Sequence, residues 1–253
     1  MATFKKLYTN GCSWTNGDGI IEDPLFVHGT RQQDYAWPAV LARHLGIPLI
    51  NDSNGGCSNK RMMRCVIDFV SGLTSEERES TLVILGWTTT DRDEIFVRSD
   101  IGKTDDWFRY NANQDFTSYS DVRETLSATK YKAIEKTRRH YVAHIHTIEA
   151  QLVYFFQQFY LLRNLLENLK VPFLFFSALP WQYHLLGTPE QNEFIARWTK
   201  TINDSKNVYD INKSFCNFVA DNNYPMSSCV HPMIQGHDAW AKLLNTEIIQ
   251  RGI

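Results

Sequence analysis

The chain has 253 residues, 43% of them hydrophobic and 21% charged, and 26 basic against 28 acidic side chains leave a formal net charge of −2. Apolar content of this order builds one core without disulfide or metal staples, which excludes a chain disordered throughout and fits a single α/β domain over residues 1–253. The near-neutral balance speaks against a general nucleic-acid or membrane-surface binder; with no transmembrane stretch and no signal peptide in view, a cytoplasmic protein is expected.

Lys5 to Thr9 reads as a short strand running into Asn10-Gly11-Cys12-Ser13-Trp14. Glycines at 17, 19 and 29 and a proline at 24 make Thr15 to Gln33 loop-like. Tyr35 to Leu45 has a helical period, with Pro38 in its first turn and Gly46 as its stop. Pro48 to Asn51 is a second strand, followed by Asp52-Ser53-Asn54-Gly55-Gly56. A helix is expected over Asn59 to Val70, with Met62, Cys65, Val66, Phe69 and Val70 in the periodic positions. Thr81 to Leu85 is an unbroken apolar run, as in a strand buried on both faces, and Gly86 ends it.

From Thr88 to about Ser127 the chain is polar and aromatic without a clear period, so residues of about 88–128 read as a structureless functional insertion or lid. One long helix is expected from about Lys130 to Leu169, its stripe formed by Ile145, Ile148, Leu152, Phe155, Phe159, Leu162 and Leu166. Val171 to Ser177 is a fourth strand, Glu190 to Asn203 a helix, Val208 to Ile211 a short fifth strand, and His237 to Arg251 a closing helix.

Short apolar strands alternating with helices imply a three-layer α/β/α sandwich on a five-stranded parallel sheet. Ligands of such sheets bind at the carboxyl ends of the strands. Three of those ends combine Gly with Ser or Thr: Gly11-Cys12-Ser13, Gly55-Gly56-Cys57-Ser58-Asn59 and Gly86-Trp87-Thr88. The cysteines, at 12, 57, 65, 216 and 229, are odd in number and lack Cys-x-x-Cys spacing, which points to a reducing compartment.

A serine hydroxyl attacks a carbonyl only with a base in hydrogen-bond reach and donors aimed at the oxyanion. Ser13, at the first strand end, is the candidate nucleophile, and His231, in Cys229-Val230-His231-Pro232, is the candidate base. Gly56 offers a sterically free backbone N–H, and Thr88 a hydroxyl. In these four ordered places, completed by Gly236-His237 and Trp240-Ala241, the chain resembles the SGNH (GDSL-like) hydrolase superfamily, and its short Gly-Cys-Ser-Trp and Gly-Trp-Thr motifs are similar to divergent members from bacteriophages.

The resemblance implies a flavodoxin-like strand order and an ester hydrolase needing no cofactor and no metal. Its oxyanion hole is formed by the Ser13 and Gly56 N–H groups with Thr88, and its substrate is a small-molecule or carbohydrate ester, such as an O-acetyl group. Trp14, Asn59, Trp87 and Arg92 are the expected substrate-binding residues. Three positions depart from the family pattern. Cys12 replaces the Asp of Gly-Asp-Ser, Thr88 replaces the oxyanion Asn, and Ser228 replaces the Asp that orients the histidine, so that His231 rests on a backbone carbonyl or on another acid, such as Asp210 or Asp221, or works in a dyad.

Each residue also has a plainer reading. Ser13 and Thr88 suit helix caps, Gly56 a turn, and His231 a surface position before a helix. Trp14, Trp87, Trp107, Phe108, Tyr110, Phe116 and Tyr119 either line an acyl or sugar pocket or pack the insertion. A zinc set of Cys12, Cys57, Cys229 and His231 matches by ligand type but not by spacing; His140 and His144 lack the Glu of a helical metal motif. The alternative function is a catalytically impaired protein that binds a glycan or protein partner in the same groove; a second is a different hydrolase, acting on a phosphodiester or using metal.

Overall fold

The computed structural model describes residues 4–21, 32–102, 106–111, 126–180 and 189–253. Strand β1 (Lys6–Gly11) runs into a four-residue helix α1 (Ser13–Asn16). Then come α2 (Trp37–Leu45), β2 (Leu49–Asn51), α3 (Asn59–Ser71), α4 (Ser75–Glu79) and β3 (Thr81–Trp87). A hairpin of β4 (Arg92–Val97) and β5 (Asp106–Asn111) precedes α5 (Ala128–His144) and α6 (Ile148–Asn168). The chain closes with β6 (Phe173–Ser177), α7 (Pro189–Asn203), α8 (Phe215–Asp221) and α9 (Ile234–Arg251).

The main sheet is parallel, in the order β2-β1-β3-β6. Two neighbouring rings on β6 define its faces. Phe176 packs on Trp37 of α2 and Trp240 of α9, whereas Phe175 packs on Trp87 and on Phe159 of α6. Successive strand side chains point to opposite faces, so helices cover both sides and the architecture has three layers. No described helix is long and apolar enough to cross a membrane.

The sheet has four strands rather than the expected five. Val208 makes only an isolated parallel bridge to Phe175. Beyond Tyr209 the Ile211 N–H goes to Asn203 Oδ1 (2.9 Å) and a turn closes from Lys213 N–H to Asp210 O (2.9 Å), which carries the chain off the sheet.

Three other expectations need correction. β3 does not stop at Gly86 but continues to Trp87; Gly86 serves close packing, because a Cβ there would stand 2.8 Å from Phe176 Cζ. The insertion is not structureless, since β4 and β5 pair antiparallel over six residues each. Its strand period was hidden by buried acids that are paired rather than replaced by apolar residues. Asp93 takes Lys60 Nζ (2.6 Å) and the Tyr110 hydroxyl (3.1 Å), and Glu94 takes Arg64 (3.1 Å). Finally, the long helix is two helices. Thr147 accepts the Ala150 N–H (3.1 Å) and starts α6 afresh, leaving Ile145 60% exposed in the break. Leu152, Phe155, Phe159, Leu162 and Leu166 are buried as a stripe.

Candidate active site

Parallel order brings the carboxyl ends of β1, β2 and β3 to one edge, and side-chain and backbone hydrogen bonds knit their loops together. β1 ends at Gly11, where a Cβ would come within 2.1 Å of Thr15 Oγ1. The Gly11 carbonyl accepts the Asn54 N–H (3.1 Å) and the Cys57 thiol (3.0 Å), docking the second loop on the first. Gly55 is pressed against Ser13 and Asp18, for a Cβ there would stand 3.9 Å from Ser13 Cβ and 2.4 Å from Asp18 Oδ2. Gly56 adopts φ +67°, a left-handed conformation open to glycine. Arg109 of β5 braces this loop from above, donating to Asn54 Oδ1 and Gly55 O (both 3.0 Å).

The third loop is held by Asn59. Its Oδ1 accepts the Thr88 N–H (2.9 Å) and its Nδ2 donates to Thr88 O (3.1 Å) and Thr89 O (3.4 Å). Asn59 is therefore committed to the loop backbone and positions Thr88 rather than facing a ligand. The Thr88 hydroxyl itself is buried and has no hydrogen-bond partner among the described residues. Ser13 is the first residue of α1, behind Cys12 at the N-cap. Among the described residues its hydroxyl makes no hydrogen bond.

His231 reaches this edge from the loop before α9. Its ring centre lies 6.3 Å from that of Trp14, and Gly19 fits beneath it, where a Cβ would be 3.3 Å from His231 Cβ and 2.5 Å from Cys229 Sγ. Nδ1 stands 3.3 Å from Cys229 Sγ, and Nε2 has no hydrogen-bond partner among the described residues. The Ser13 hydroxyl and the His231 ring thus share one edge of the sheet without being hydrogen-bonded to each other. Burial holds His231 below the usual histidine range; the Asp18 carboxylate raises it, and the Arg92 guanidinium lowers it further. The acid whose charge reaches His231 is Asp18, not Asp210, which is engaged by Asn203 and Asn212, nor Asp221. Asp18 was missed in the sequence; its setting between Gly17 and Glycine 19, five residues after Ser13, was the available signal.

The remaining expected residues divide clearly. Trp14 is buried edge-on against Phe215 and also borders His231. Trp87 is 1% exposed and packs among Phe155, Phe159 and Phe175, so it belongs to the core and not to a binding surface. Arg92 opens β4 with Nε and Nη1 buried and without hydrogen-bond partners among the described residues. Trp107 stacks under the Arg64 guanidinium at 4.2 Å, and Phe108 and Tyr110 fill a small core with Val97 and Leu126, so these rings pack the hairpin. Phe116 and Tyr119 lie outside the described residues.

Cys57 is buried and hydrogen-bonded as a thiol, and burial pushes it up to about 12, which sets it against metal ligation. Among the described residues no three or more His, Cys, Asp or Glu side chains form a metal-holding group. His140 and His144 are ring neighbours at 4.6 Å on α5.

A family described only as of unknown function, DUF6071, matches residues 21–253. The chain belongs to that family. No curated protein matches this DUF6071 chain. Among solved structures it is similar to TesA, at 12% identity and a TM-score of 0.52, covering 98% of this chain and 99% of that one. It is similar also to the psychrotrophic esterase EstA from Pseudoalteromonas sp., determined in a form inhibited by monoethylphosphonate, at 12% identity and a TM-score of 0.50, with 97% of each chain covered. At such identity the likeness speaks for the fold, which is that of the SGNH (GDSL-like) hydrolases.

Proposed function

We propose that this DUF6071 protein is a serine hydrolase acting on an ester, with Ser13 as nucleophile and His231 as base. His231 Nε2 takes the Ser13 proton as Oγ attacks the carbonyl carbon. The tetrahedral oxyanion rests on the N–H groups of Ser13 and Gly56 and on the Thr88 hydroxyl. His231 then returns the proton to the leaving alcohol, and water, activated in the same way, frees the acid from the acyl-serine.

The observation that carries this reading is the orphaned Thr88 hydroxyl. A buried hydroxyl without a partner costs about 1–3 kcal/mol; it lies on the loop after β3, clamped by Asn59, at the position to which the family resemblance assigns an oxyanion donor. Trp14 offers the acyl or sugar group an apolar wall, and the Arg92 guanidinium, whose charge reaches His231, favours a negatively charged part of the substrate. A carbohydrate O-acetyl group or a short acyl ester is the substrate class.

The test is turnover of p-nitrophenyl acetate by wild type and Ser13→Ala, together with intact mass after exposure to a fluorophosphonate. Serine-dependent turnover and a single adduct lost in Ser13→Ala are expected. Absence of both removes the reading. It leaves binding of a glycan or protein partner in the same groove, which the unengaged Ser13–His231 pair and the missing carboxylate on Nδ1 favour.

A further inference from the structure

We propose that Cys229 is the positioning residue that sets the tautomer of His231, a thiol standing where serine hydrolases otherwise use a carboxylate. This rests on His231 acting as the base. Four contacts within five residues form a closed chain. His231 Nδ1 lies 3.3 Å from Cys229 Sγ, Cys229 Sγ lies 3.2 Å from Ser227 Oγ, and Ser227 Oγ lies 3.1 Å from the His231 carbonyl oxygen. The His231 N–H donates back to Ser227 Oγ (3.2 Å).

One set of directions makes His231 a base toward Ser13. A carbonyl oxygen only accepts, so Ser227 O–H donates to it. In that set the Ser227 oxygen, besides accepting the His231 N–H, takes the Cys229 S–H. Sulfur, having given its proton away, accepts from Nδ1–H. The imidazole proton is thereby held on Nδ1, and the Nε2 lone pair is free to take the proton of Ser13. The other arrangement that satisfies Ser227, with the thiol donating to Nδ1, would put the imidazole proton on Nε2 and leave no base facing Ser13; a hydrogen bond to the Cys229 backbone also acts on the ring and raises its pKa.

The backbone is shaped for this contact. Val230 is a β-branched residue at φ +62°, which folds the chain so that residue 229, two before the histidine, faces its ring. Gly19, at φ +68°, leaves the space the sulfur fills. A neutral thiol supplies geometry but no charge. The charged groups acting on the imidazole are Asp18 after α1 and Arg92 on β4, and the second histidine coupled to it is His237 on α9.

The experiment compares wild type with Cys229→Ala, Cys229→Ser and Cys229→Asp, each checked for an unchanged melting profile. On p-nitrophenyl acetate, Cys229→Ala should lower kcat about 10-fold or more with KM nearly unchanged, and Cys229→Ser should recover part of it. Cys229→Asp should restore kcat and move the acid limb of the kcat/KM profile up by about one pH unit, because a carboxylate favours the imidazolium. A Cys229→Ala enzyme with wild-type kcat and the same acid limb overturns the proposal. Imidazole nitrogen NMR reads the tautomer without turnover: Nδ1–H should dominate in wild type and lose its dominance in Cys229→Ala. A wild-type ring protonated on Nε2 overturns the proposal even if the protein proves to be a hydrolase. Absence of Ser13-dependent turnover removes the hydrolase reading while the NMR result still decides the role of Cys229.

Discussion

The ring of His237 on α9 accepts the backbone N–H of Trp37 through Nδ1 at 3.1 Å, joining residues 200 apart in sequence. This satisfies one of the unpaired N–H groups in the first turn of α2 and staples the closing helix to it. The ring is fully buried, and burial, followed by the nearby His231, holds its pKa down at about 3.

Because the folded-state value lies below the unfolded one, the unfolded chain binds the proton first as pH falls. The stability tied to neutral His237 is complete above about pH 6.5 and drains away as pH drops toward about 3. Urea unfolding at pH 7 and pH 4.5 should show a lower midpoint at pH 4.5. His237→Asn, which keeps an acceptor near Nδ1 but does not titrate, should cost about 1–3 kcal/mol at pH 7 and flatten the dependence between the two pH values. An equally steep dependence in the variant assigns it to other groups.

Thr88→Val separates catalysis from stability. The change keeps shape and removes only a hydroxyl that has no hydrogen-bond partner among the described residues. Thermal stability should hold or rise, while kcat on p-nitrophenyl acetate should fall about 10²-fold, the loss typical of one oxyanion donor. Unchanged kcat would take Thr88 out of the oxyanion hole.

Asn59→Ala should act in the opposite sense. It strands the buried Thr88 N–H and frees the third loop. A loss of about 2 kcal/mol is expected, roughly 4–8 °C in Tm for a chain of this size, with kcat falling as Thr88 loses its position. Differential scanning calorimetry and steady-state kinetics on the same preparation check both halves.

Arg92 should select for charge. The guanidinium has two buried nitrogens without hydrogen-bond partners among the described residues and acts electrostatically on both His231 and Cys57. Arg92→Met should lower kcat/KM about 10–100-fold on mono-p-nitrophenyl succinate, the worth of one charged hydrogen bond, and much less on neutral p-nitrophenyl acetate. Equal loss on both esters would make Arg92 a structural residue.

Much of the architecture was legible because parallel α/β folds write themselves in local patterns. The Val-Ile-Leu run at Val83 to Leu85 and the Phe-rich run at 173–176 are buried on both faces, and each names a strand without reference to the rest of the chain. Once strands are parallel, the loops of Ser13, Gly56 and Thr88 must emerge at one edge. The hairpin of β4 and β5 was illegible, since Asp93 and Glu94 sit at buried positions made tolerable by Lys60, Tyr110 and Arg64, partners distant in sequence. Trp87 and Asn59 were placed in the binding surface because a strand end and a helix start adjoin the site. Only packing showed one ring turned into the core and one carboxamide spent on backbone.

By itself, then, the order of residues determined the four strands of the main sheet, the edge at which their loops emerge and the residue types that meet there, all of which follow from periodicity and chain direction. Tertiary structure decided which atom touches which: that Cys229 rather than Ser228 lies on His231, that Asp18 supplies the nearby negative charge, and that the fifth strand shrinks to one bridge. Those outcomes turn on a single backbone inversion at Val230 and on contacts between remote segments, and neither leaves a periodic trace along the chain.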